Sequence, residues 1–273
     1  MILLMLFSVF VRADGVDLQT PEELANARAI IKRDFAHAVD PSTLSPFDRV
    51  WVLSNYTHLD PNHEVPADLL QDTVLYFDTN KDSFPNKEHL VIVDFKPRSD
   101  FYRLYIVNMT NGSVEKFHTT HGINSDDHDY AVVFGNVIGS GKSSLGFIRT
   151  AEVYSGAYKR SLRLDGLSTT NSNIRDRAIV FHGWDKVKEA NVIQGLSHGC
   201  ITLDWTVKDA ALDKIKGGAL MYIGQTTIEP NTPSLTGDPR KLLTPMVFIT
   251  RSMRFTTYLY HSRQPALSNN RGS

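Results

Sequence analysis

From residue 89 onward, short apolar runs alternate with turn residues, and this pattern constrains the fold more than any other feature of the sequence. Leu90–Phe95 is a nearly continuous apolar run, typical of a buried strand. Arg103–Asn108 alternates, Asn111-Gly112 is a strong hairpin signal, and Val114–Thr120 is the expected return strand. Repeated short strands with Gly and Asn turns predict a mainly β domain.

The same signals continue toward residue 223. Apolar runs bounded by turn residues predict further strands over Tyr130–Phe134, Leu145–Thr150, Arg160–Leu164, Ala178–Phe181 and Ala219–Ile223. The spacing of apolar residues over Thr206–Ile215 predicts a helix before the last of these strands.

The chain before residue 89 has helical signals instead. Thr20-Pro21-Glu22-Glu23 is a capping box with proline at the first helical position. Apolar residues follow it at helical spacing, and Ser45-Pro46-Phe47-Asp48 begins a second, short helix by the same logic. Residues 60–87 are rich in Pro, Asn and Asp, and we expect linking loops there.

The first residues are typical of a secretory signal. Ile2–Val11 is apolar apart from Ser8 and is too short to cross a bilayer. Val11-Arg12-Ala13 then offers branched or small residues at the positions that a signal peptidase reads. We therefore predict export to the periplasm or cell envelope and no membrane span in the mature protein. A buried N-terminal strand and an uncleaved anchor are the alternatives.

These patterns divide the chain into four parts. Residues 1–13 are the expected signal peptide, and residues 14–87 form a helical N-terminal segment. Residues 88–225 form the mainly β domain. Residues 226–273 lose this order, and we interpret them as a C-terminal tail with one hairpin near Met246–Tyr260.

Charge and cysteine content exclude several classes of protein. The 273 residues include 29 basic and 30 acidic side chains, a net charge of −1. No basic field is available to hold a nucleic-acid backbone, so we expect no nucleic-acid partner. Cys200 is the single cysteine, which excludes an intramolecular disulfide and a cysteine-based zinc finger.

Two segments contain the best candidates for catalytic residues, Arg177–Gly183 and Gly195–Ile201. The first is a branched strand that delivers His182 to a turn at Gly183, and the second places Cys200 in a turn of small residues. A nucleophilic thiol needs a base, donors for an oxyanion and an open approach. These segments supply candidates for all three, whereas the alternative is a buried cysteine beside two structural histidines.

The sequence around Cys200 and His182 resembles that of a known family. Ser197-His198-Gly199-Cys200, with His182-Gly183 before it, resembles the YkuD-type L,D-transpeptidases, in the branch called murein L,D-transpeptidase catalytic domain. The resemblance covers about residues 88–225 and implies a twisted, mixed β-sandwich or barrel-like catalytic domain. The other matching segments are Val93-Asp94-Phe95, His121-Gly122, Phe134-Gly135-Asn136, Gly139-Ser140, Ser143–Phe147, Tyr154, Ser161–Leu167 and Arg177–Val180.

The resemblance implies a cysteine acyl-transfer mechanism on peptidoglycan stem peptides. Cys200 would be the nucleophile and His182 the general base, oriented by the backbone carbonyl of Gly183. Backbone N–H groups around His198, Gly199 and Cys200 would form the oxyanion hole. The acceptor stays open, because a stem amine, water or a free D-amino acid would each complete the reaction. An inert wall-binding module and a general cysteine peptidase are the competing hypotheses.

Substrate contacts are expected from polar and aromatic residues near the site. The candidates are Ser197, Tyr154, Ser143, Ser144 and Arg163, of which Arg163 suits a stem carboxylate. We expect no cofactor and no metal, and the sequence does not indicate the oligomeric state. The phosphate-loop-like run Gly139–Ser144 has the wrong glycine spacing, and the His and Asp residues of 118–129 match no common zinc pattern.

Overall fold

A mixed eight-stranded sheet dominates the computed structural model, which describes residues 18–228. Its strand order is β11-β9-β8-β7-β12-β1-β2-β3, and β1 with β12 and β9 with β11 are its parallel pairs. The strands are β1 His89–Asp94, β2 Leu104–Asn108, β3 Val114–Phe117, β4 His121–Gly122, β5 Asp126–Asp127, β6 Tyr130–Ala131, β7 Gly146–Gly156, β8 Lys159–Gly166, β9 Val180–Gly183, β10 Leu196–Ser197, β11 Ile201–Leu203 and β12 Leu220–Gly224.

Four α-helices flank this sheet in the described residues: α1 Pro21–Asp34, α2 Pro46–Ser54, α3 Ala67–Asn80 and α4 Trp205–Ile215. The predicted capping box of α1 is present: Thr20 Oγ1 accepts from the Glu23 N–H at 3.2 Å, and the Glu23 carboxylate accepts from the Thr20 N–H at 2.7 Å. Ser45 caps α2 by accepting from the Asp48 N–H at 3.1 Å. The predicted helical N-terminal segment and mainly β domain are therefore confirmed.

Both faces of the sheet are buried at β1, which explains the continuous apolar run of this strand. Val91 and Val93 face a core that includes α4, whereas Leu90 and Ile92 face a second core that includes α3. A strand covered on both sides loses the polar alternation of a half-exposed strand. The result is a three-layer arrangement, with α3 and α2 on one face of β1 and α4 on the other.

Two local predictions are wrong. Residues 60–87 are not linking loops, because α3 lies inside them and buries Leu69, Val74 and Phe77 against the sheet. Its apolar face is stabilised by tertiary packing, while the Pro and Asn residues that suggested loops lie outside or at the ends of the helix. The strand expected over residues 130–134 is limited to β6, because Val132 and Val133 turn back to donate to the Ser125 carbonyl.

Some predictions fall outside the described residues. The signal peptide at 1–13 and the hairpin near 246–260 belong to the parts of the chain that residues 18–228 do not include. Among residues 18–228, no helix combines the length and the apolar character needed to cross a membrane.

Helix α1 is attached to the sheet mainly by polar contacts. Ala27 is its one buried residue, and Asp34 accepts from the Arg149 guanidinium at 2.7 Å. Arg28 pairs with Asp176. The hydrogen bond from Arg149 holds the pKa of Asp34 below its ordinary value of 3.8.

This depressed pKa predicts an acid-dependent contribution of Asp34 to stability. A carboxyl whose pKa is lowered by folding stabilises the protein fully above its unfolded value and loses that effect as the pH falls through the folded value. The Asp34→Asn variant should therefore be less stable by about 1–2 kcal/mol above about pH 5, and the difference should disappear near pH 2. Urea unfolding across this range measures it. Asp82→Asn is the control, because that side chain is 97% exposed, and an equal pH-dependent loss there would contradict the assignment.

Candidate active site

Two parallel strands bring Cys200 and His182 to the same part of the sheet. β9 and β11 pair in a register that sets Phe181 opposite Ile201 and His182 opposite Thr202. Cys200 immediately precedes β11, so it enters beside β9. Both side chains open onto one small pocket, lined by Tyr158, His182, Trp184, Ser197, His198 and Cys200.

The imidazole of His182 is held in one tautomer. Its Nδ1 lies 2.9 Å from the carbonyl oxygen of Gly183, which can only accept, so Nδ1 carries the proton and donates. The lone pair is therefore on Nε2, and a neutral imidazole in this state can take a proton at that nitrogen.

Gly183 is required for its size as well as for its carbonyl group. A Cβ atom at this position would lie 2.3 Å from the ring of Trp205, the first residue of α4. The indole N–H of Trp205 donates to Asp185 at 2.8 Å, which holds the ring in place. Glycine thus lets β9 end in close contact with α4, with the carbonyl of Gly183 directed to His182.

Residues 197–200, which carry the predicted nucleophile and are called the nucleophile turn, are held together by the hydroxyl of Ser197. Ser197 Oγ donates to the Cys200 carbonyl at 2.9 Å and accepts from the Gly199 N–H at 3.1 Å. Because the Gly199 N–H is used inside the turn, the expected oxyanion donors narrow to the backbone N–H groups of His198 and Cys200. The sequence predicts Ser197 as a substrate contact, and these bonds give its hydroxyl a role within the turn.

Gly199 has the backbone conformation that the nucleophile turn needs. Its φ is +110°, and a Cβ atom would lie 2.6 Å from the carbonyl oxygen of Lys142. Side chains rarely adopt this φ, and the neighbouring backbone oxygen leaves no room for one. Glycine is therefore required immediately before Cys200.

Cys200 is largely covered. Its side chain is 3% exposed and packs with Ala178, Val180, Tyr154 and Tyr158. The thiol also lies 3.8 Å from the carbonyl oxygen of Ala178, a distance at which sulfur makes a weak hydrogen bond. Burial alone would suit an inert cysteine, but the shared pocket with His182 distinguishes this site from a core position.

Arg177 supports the site through contacts that its place in the segment Arg177–Gly183 does not by itself reveal. The fully buried guanidinium donates to the carbonyls of Gly135, at 2.7 Å, and of Lys142, and to the hydroxyls of Ser140, at 3.2 Å, and Ser144. It thereby fixes the loop over residues 135–144, whose carbonyl at position 142 packs against the nucleophile turn. An arginine directly before the apolar strand of His182 was the available signal.

Apart from Ser197, the predicted substrate contacts divide into two pairs. Ser143 Oγ accepts from the Gly122 N–H at 2.9 Å and Ser144 Oγ donates to the Gly135 carbonyl at 2.8 Å, so both hydroxyls act within the protein. Neither serine lines the pocket of Cys200.

The second pair, Tyr154 and Arg163, lies on the face of the sheet that contains Cys200. Tyr154 packs on the small apolar cluster that contains Cys200, and the Arg163 guanidinium lies 3.9 Å from the centre of the Tyr154 ring. Arg163 pairs with Val180 across the β8–β9 ladder and is 8% exposed. Both residues therefore border the site, and the arginine is already packed against an aromatic ring.

Tyr158 and Trp184 line the pocket, and neither was predicted from the sequence. Tyr158 lies in the tight turn between β7 and β8, and its ring stacks on that of His182 at 4.0 Å between centroids and 27° between planes. An aromatic residue at the tip of a hairpin beside the histidine strand was the signal, but the pairing of β8 with β9 was needed to interpret it.

Shortening Tyr158 should expose the thiol. We expect Tyr158→Ala to raise the rate of Cys200 alkylation by iodoacetamide roughly threefold to tenfold, because access limits a thiol that is 3% exposed. Timed intact-mass measurements give this rate. Tyr130→Ala, which changes an exposed tyrosine outside the pocket, should leave it unchanged. A Tyr158→Ala rate equal to that of the wild type would show that the ring does not limit access.

The phosphate-loop-like run and the His and Asp residues of 118–129 stay outside the site. Gly139–Ser144 leads into strand β7, so no helix N-terminus follows it. His118 pairs with Glu189, whereas His121 pairs with Asp126. Over residues 18–228, no group of three or more His, Cys, Asp or Glu side chains has a metal-binding arrangement.

The comparison with protein families identifies the class of protein. The L,D-transpeptidase catalytic domain family matches residues 61–223, more than half of the chain. The chain therefore belongs to the L,D-transpeptidase catalytic domain family. The match begins before α3, so that helix lies inside the matched region. No curated protein matches the chain.

Solved L,D-transpeptidases are distant structural neighbours. An L,D-transpeptidase from Mycobacterium smegmatis has 13% sequence identity and a TM-score of 0.33, with 50% of this chain and 58% of that chain covered. One from Stackebrandtia nassauensis has 13% identity and a TM-score of 0.33, with 74% and 92% covered. The chain spans about three fifths of the length of the first of these structures.

Proposed function

We propose that this protein is a cysteine L,D-transpeptidase that acts on the tetrapeptide stems of peptidoglycan. The observation that carries the proposal is the meeting of Cys200 and His182 in one pocket, with the His182 Nδ1–H donated to Gly183. Membership of the L,D-transpeptidase catalytic domain family supports the substrate class.

The first half of the reaction forms an acyl-enzyme. His182 Nε2 takes the thiol proton as Cys200 Sγ attacks the carbonyl carbon of the bond before the terminal D-alanine. The C–S bond forms, and the backbone N–H groups of His198 and Cys200 stabilise the negative oxygen. The C–N bond then breaks, and His182 returns its proton to the amine of the departing D-alanine.

The second half transfers the acyl group. The amine of another stem attacks the thioester carbon, His182 accepts a proton from that amine, and the C–S bond breaks. The thiolate then recovers its proton from His182. The products are a 3–3 cross-linked dimer and the free enzyme, with no cofactor required in any step.

Hydrolysis by water is the second candidate for this half-reaction, and the pocket gives a specific reason for it. With Tyr158 stacked on His182, the pocket beside Cys200 is narrow, and water enters such a space more easily than the amine of a second stem. Such an enzyme would be an L,D-carboxypeptidase that trims tetrapeptides to tripeptides by the same Cys200 chemistry.

Product analysis decides between these activities. The full chain is incubated with disaccharide-tetrapeptide, beside the Cys200→Ala variant, and the products are measured by mass spectrometry. A dimer that has lost one D-alanine, absent with the variant, would support transpeptidation, whereas a tripeptide monomer would support carboxypeptidase activity. Absence of both products with the wild type would contradict the proposed function.

We also propose that the protein acts in the periplasm or cell envelope. This rests on the signal-like residues 1–13 and on the location of the proposed substrate outside the cytoplasm. Intact mass of the protein from a periplasmic extract tests it. A mass that still includes residues 1–13 in the cytoplasmic fraction alone would contradict export.

A further inference from the structure

The nucleophile turn rests on a buried segment of the chain, residues 119–122, which we call the platform. Within it, β4 pairs in parallel with β10, so that His121 lies opposite Leu196 and Gly122 opposite Ser197. Ser197 Oγ lies 3.3 Å from the His121 carbonyl as well as 2.9 Å from that of Cys200. Any displacement of the platform would therefore be passed to the turn that carries the thiol.

The platform is held by three side chains that are linked by hydrogen bonds, Arg103, His121 and Asp126. The Arg103 guanidinium donates to the Thr119 carbonyl and, at 3.0 Å between Nη1 and Nδ1, to the imidazole of His121. On the other side of that ring, Nε2 lies 2.8 Å from Asp126 Oδ1. Arg103 and His121 are both fully buried, and Arg103 also lies over the Phe95 ring at 5.4 Å.

Donor and acceptor chemistry determines the protonation of these three side chains. Arginine has no acceptor, so His121 Nδ1 must carry a lone pair and Nε2 must carry the proton that it donates to Asp126. Burial, and then the charge of Arg103, lowers the pKa of His121, which keeps the ring neutral. Burial lowers the pKa of Arg103 to about 10, so the guanidinium is still charged at neutral pH.

The pairs His121-Gly122 and His182-Gly183 therefore have opposite arrangements. His182 donates from Nδ1 to a carbonyl and keeps its lone pair on Nε2, at the pocket with Cys200. His121 accepts at Nδ1 and donates from Nε2, and it does not line that pocket. The ring of His121 thus links a buried cation to a carboxylate below the turn.

We propose that Arg103, His121 and Asp126 form a positioning array. By fixing the platform, the array sets the position of the nucleophile turn and so aligns its oxyanion donors. The array touches neither the thiol nor the pocket and acts through Ser197. This inference rests on the proposed function for its kinetic readout. Its structural consequence, the geometry of residues 197–200, does not depend on the substrate.

The kinetic test separates alignment of the donors from reactivity of the thiol. We expect His121→Ala to lower kcat for D-alanine release about tenfold to hundredfold with little change in KM, because donors to an oxyanion act mainly in the transition state. Alkylation of Cys200 by iodoacetamide forms no oxyanion, so its rate should change much less than kcat and its pH profile should stay that of the wild type. His121→Asn, whose amide oxygen can accept from Arg103, should recover part of kcat.

His118→Ala is the matched control. His118 is also fully buried and also pairs with a carboxylate, Glu189, at 3.2 Å, but the hydrogen bonds of its ring go to Glu189 and to the Asp100 carbonyl. It should lose stability as His121→Ala does while kcat stays within about threefold. Equal losses of kcat in both variants, or a wild-type kcat in His121→Ala, would overturn the inference.

Hydrogen exchange tests the array without any substrate. The Gly199 amide, which donates to Ser197 Oγ at 3.1 Å, should exchange at least tenfold faster in His121→Ala and in Asp126→Ala than in the wild type or His118→Ala. Unchanged Gly199 exchange would overturn the inference even if the enzyme is inactive. Faster exchange in a protein with no L,D-transpeptidase activity would support the array and contradict only the proposed function.

Discussion

The His182→Ala variant is expected to release D-alanine from disaccharide-tetrapeptide about 1,000-fold more slowly than the wild type. Loss of a general base typically costs 10²–10⁴-fold, and here the same ring also returns the proton to the leaving amine. Stopped-time assays of D-alanine give the rate. The pH profile of Cys200 alkylation should change as well, because His182 shares the pocket of the thiol.

The other histidine of the pocket supplies the comparison. His198 lies in the nucleophile turn, but its expected contribution is its backbone N–H, which a side-chain change retains. His198→Asn should therefore lose less than about tenfold. A larger loss in His198→Asn than in His182→Ala would show that the base has been assigned to the wrong ring.

Gly199→Ala is expected to lower both stability and activity strongly. The residue has φ +110°, and the new Cβ would lie 2.6 Å from the Lys142 carbonyl oxygen, 3.0 Å from Ile179 Cδ1 and 3.3 Å from the Arg177 guanidinium. Backbone strain of about 1–3 kcal/mol adds to this steric conflict, so we expect a loss of about 3 kcal/mol or more. Urea unfolding measures the loss, and the D-alanine assay should show activity reduced at least about 100-fold.

The Gly217→Ala variant is the control that separates backbone strain from the steric contact expected in Gly199→Ala. Gly217 has φ +78°, and a Cβ added there would meet no atom within 4 Å beyond its chain neighbours, so this variant includes the backbone strain alone. It should lose about 1 kcal/mol and keep its activity. If the two variants are equally unstable, the contact with Lys142 does not constrain the nucleophile turn.

Much of the site could be predicted from local sequence, because its chemistry is concentrated in two short segments. Cys200 and His182 lie only eighteen residues apart, and a glycine next to each of them indicates a turn. Tyr158 could not be found in this way. Its contact with His182 depends on the pairing of β8 with β9, which sequence spacing does not indicate.

The roles of the serines show the same limit. Hydroxyls beside a reactive thiol commonly contact substrate, and the sequence predicts that role for Ser143, Ser144 and Ser197. In the structure, their oxygens bind backbone groups of segments distant in sequence or of the turn itself. A hydroxyl has one donor and two acceptor sites, and only the folded backbone decides which partners reach them.

By itself, the sequence determined the mainly β class and the helical start of the chain, since these follow from periodicity and caps, and it indicated Cys200 and His182 as candidate partners. Only the tertiary structure decided that α3 is a helix, that Arg177 fixes the loop at residues 135–144, and that His121 lies below the nucleophile turn rather than in the pocket. These features depend on buried contacts between distant segments. Their free energy comes from packing and hydrogen bonding that no local pattern records.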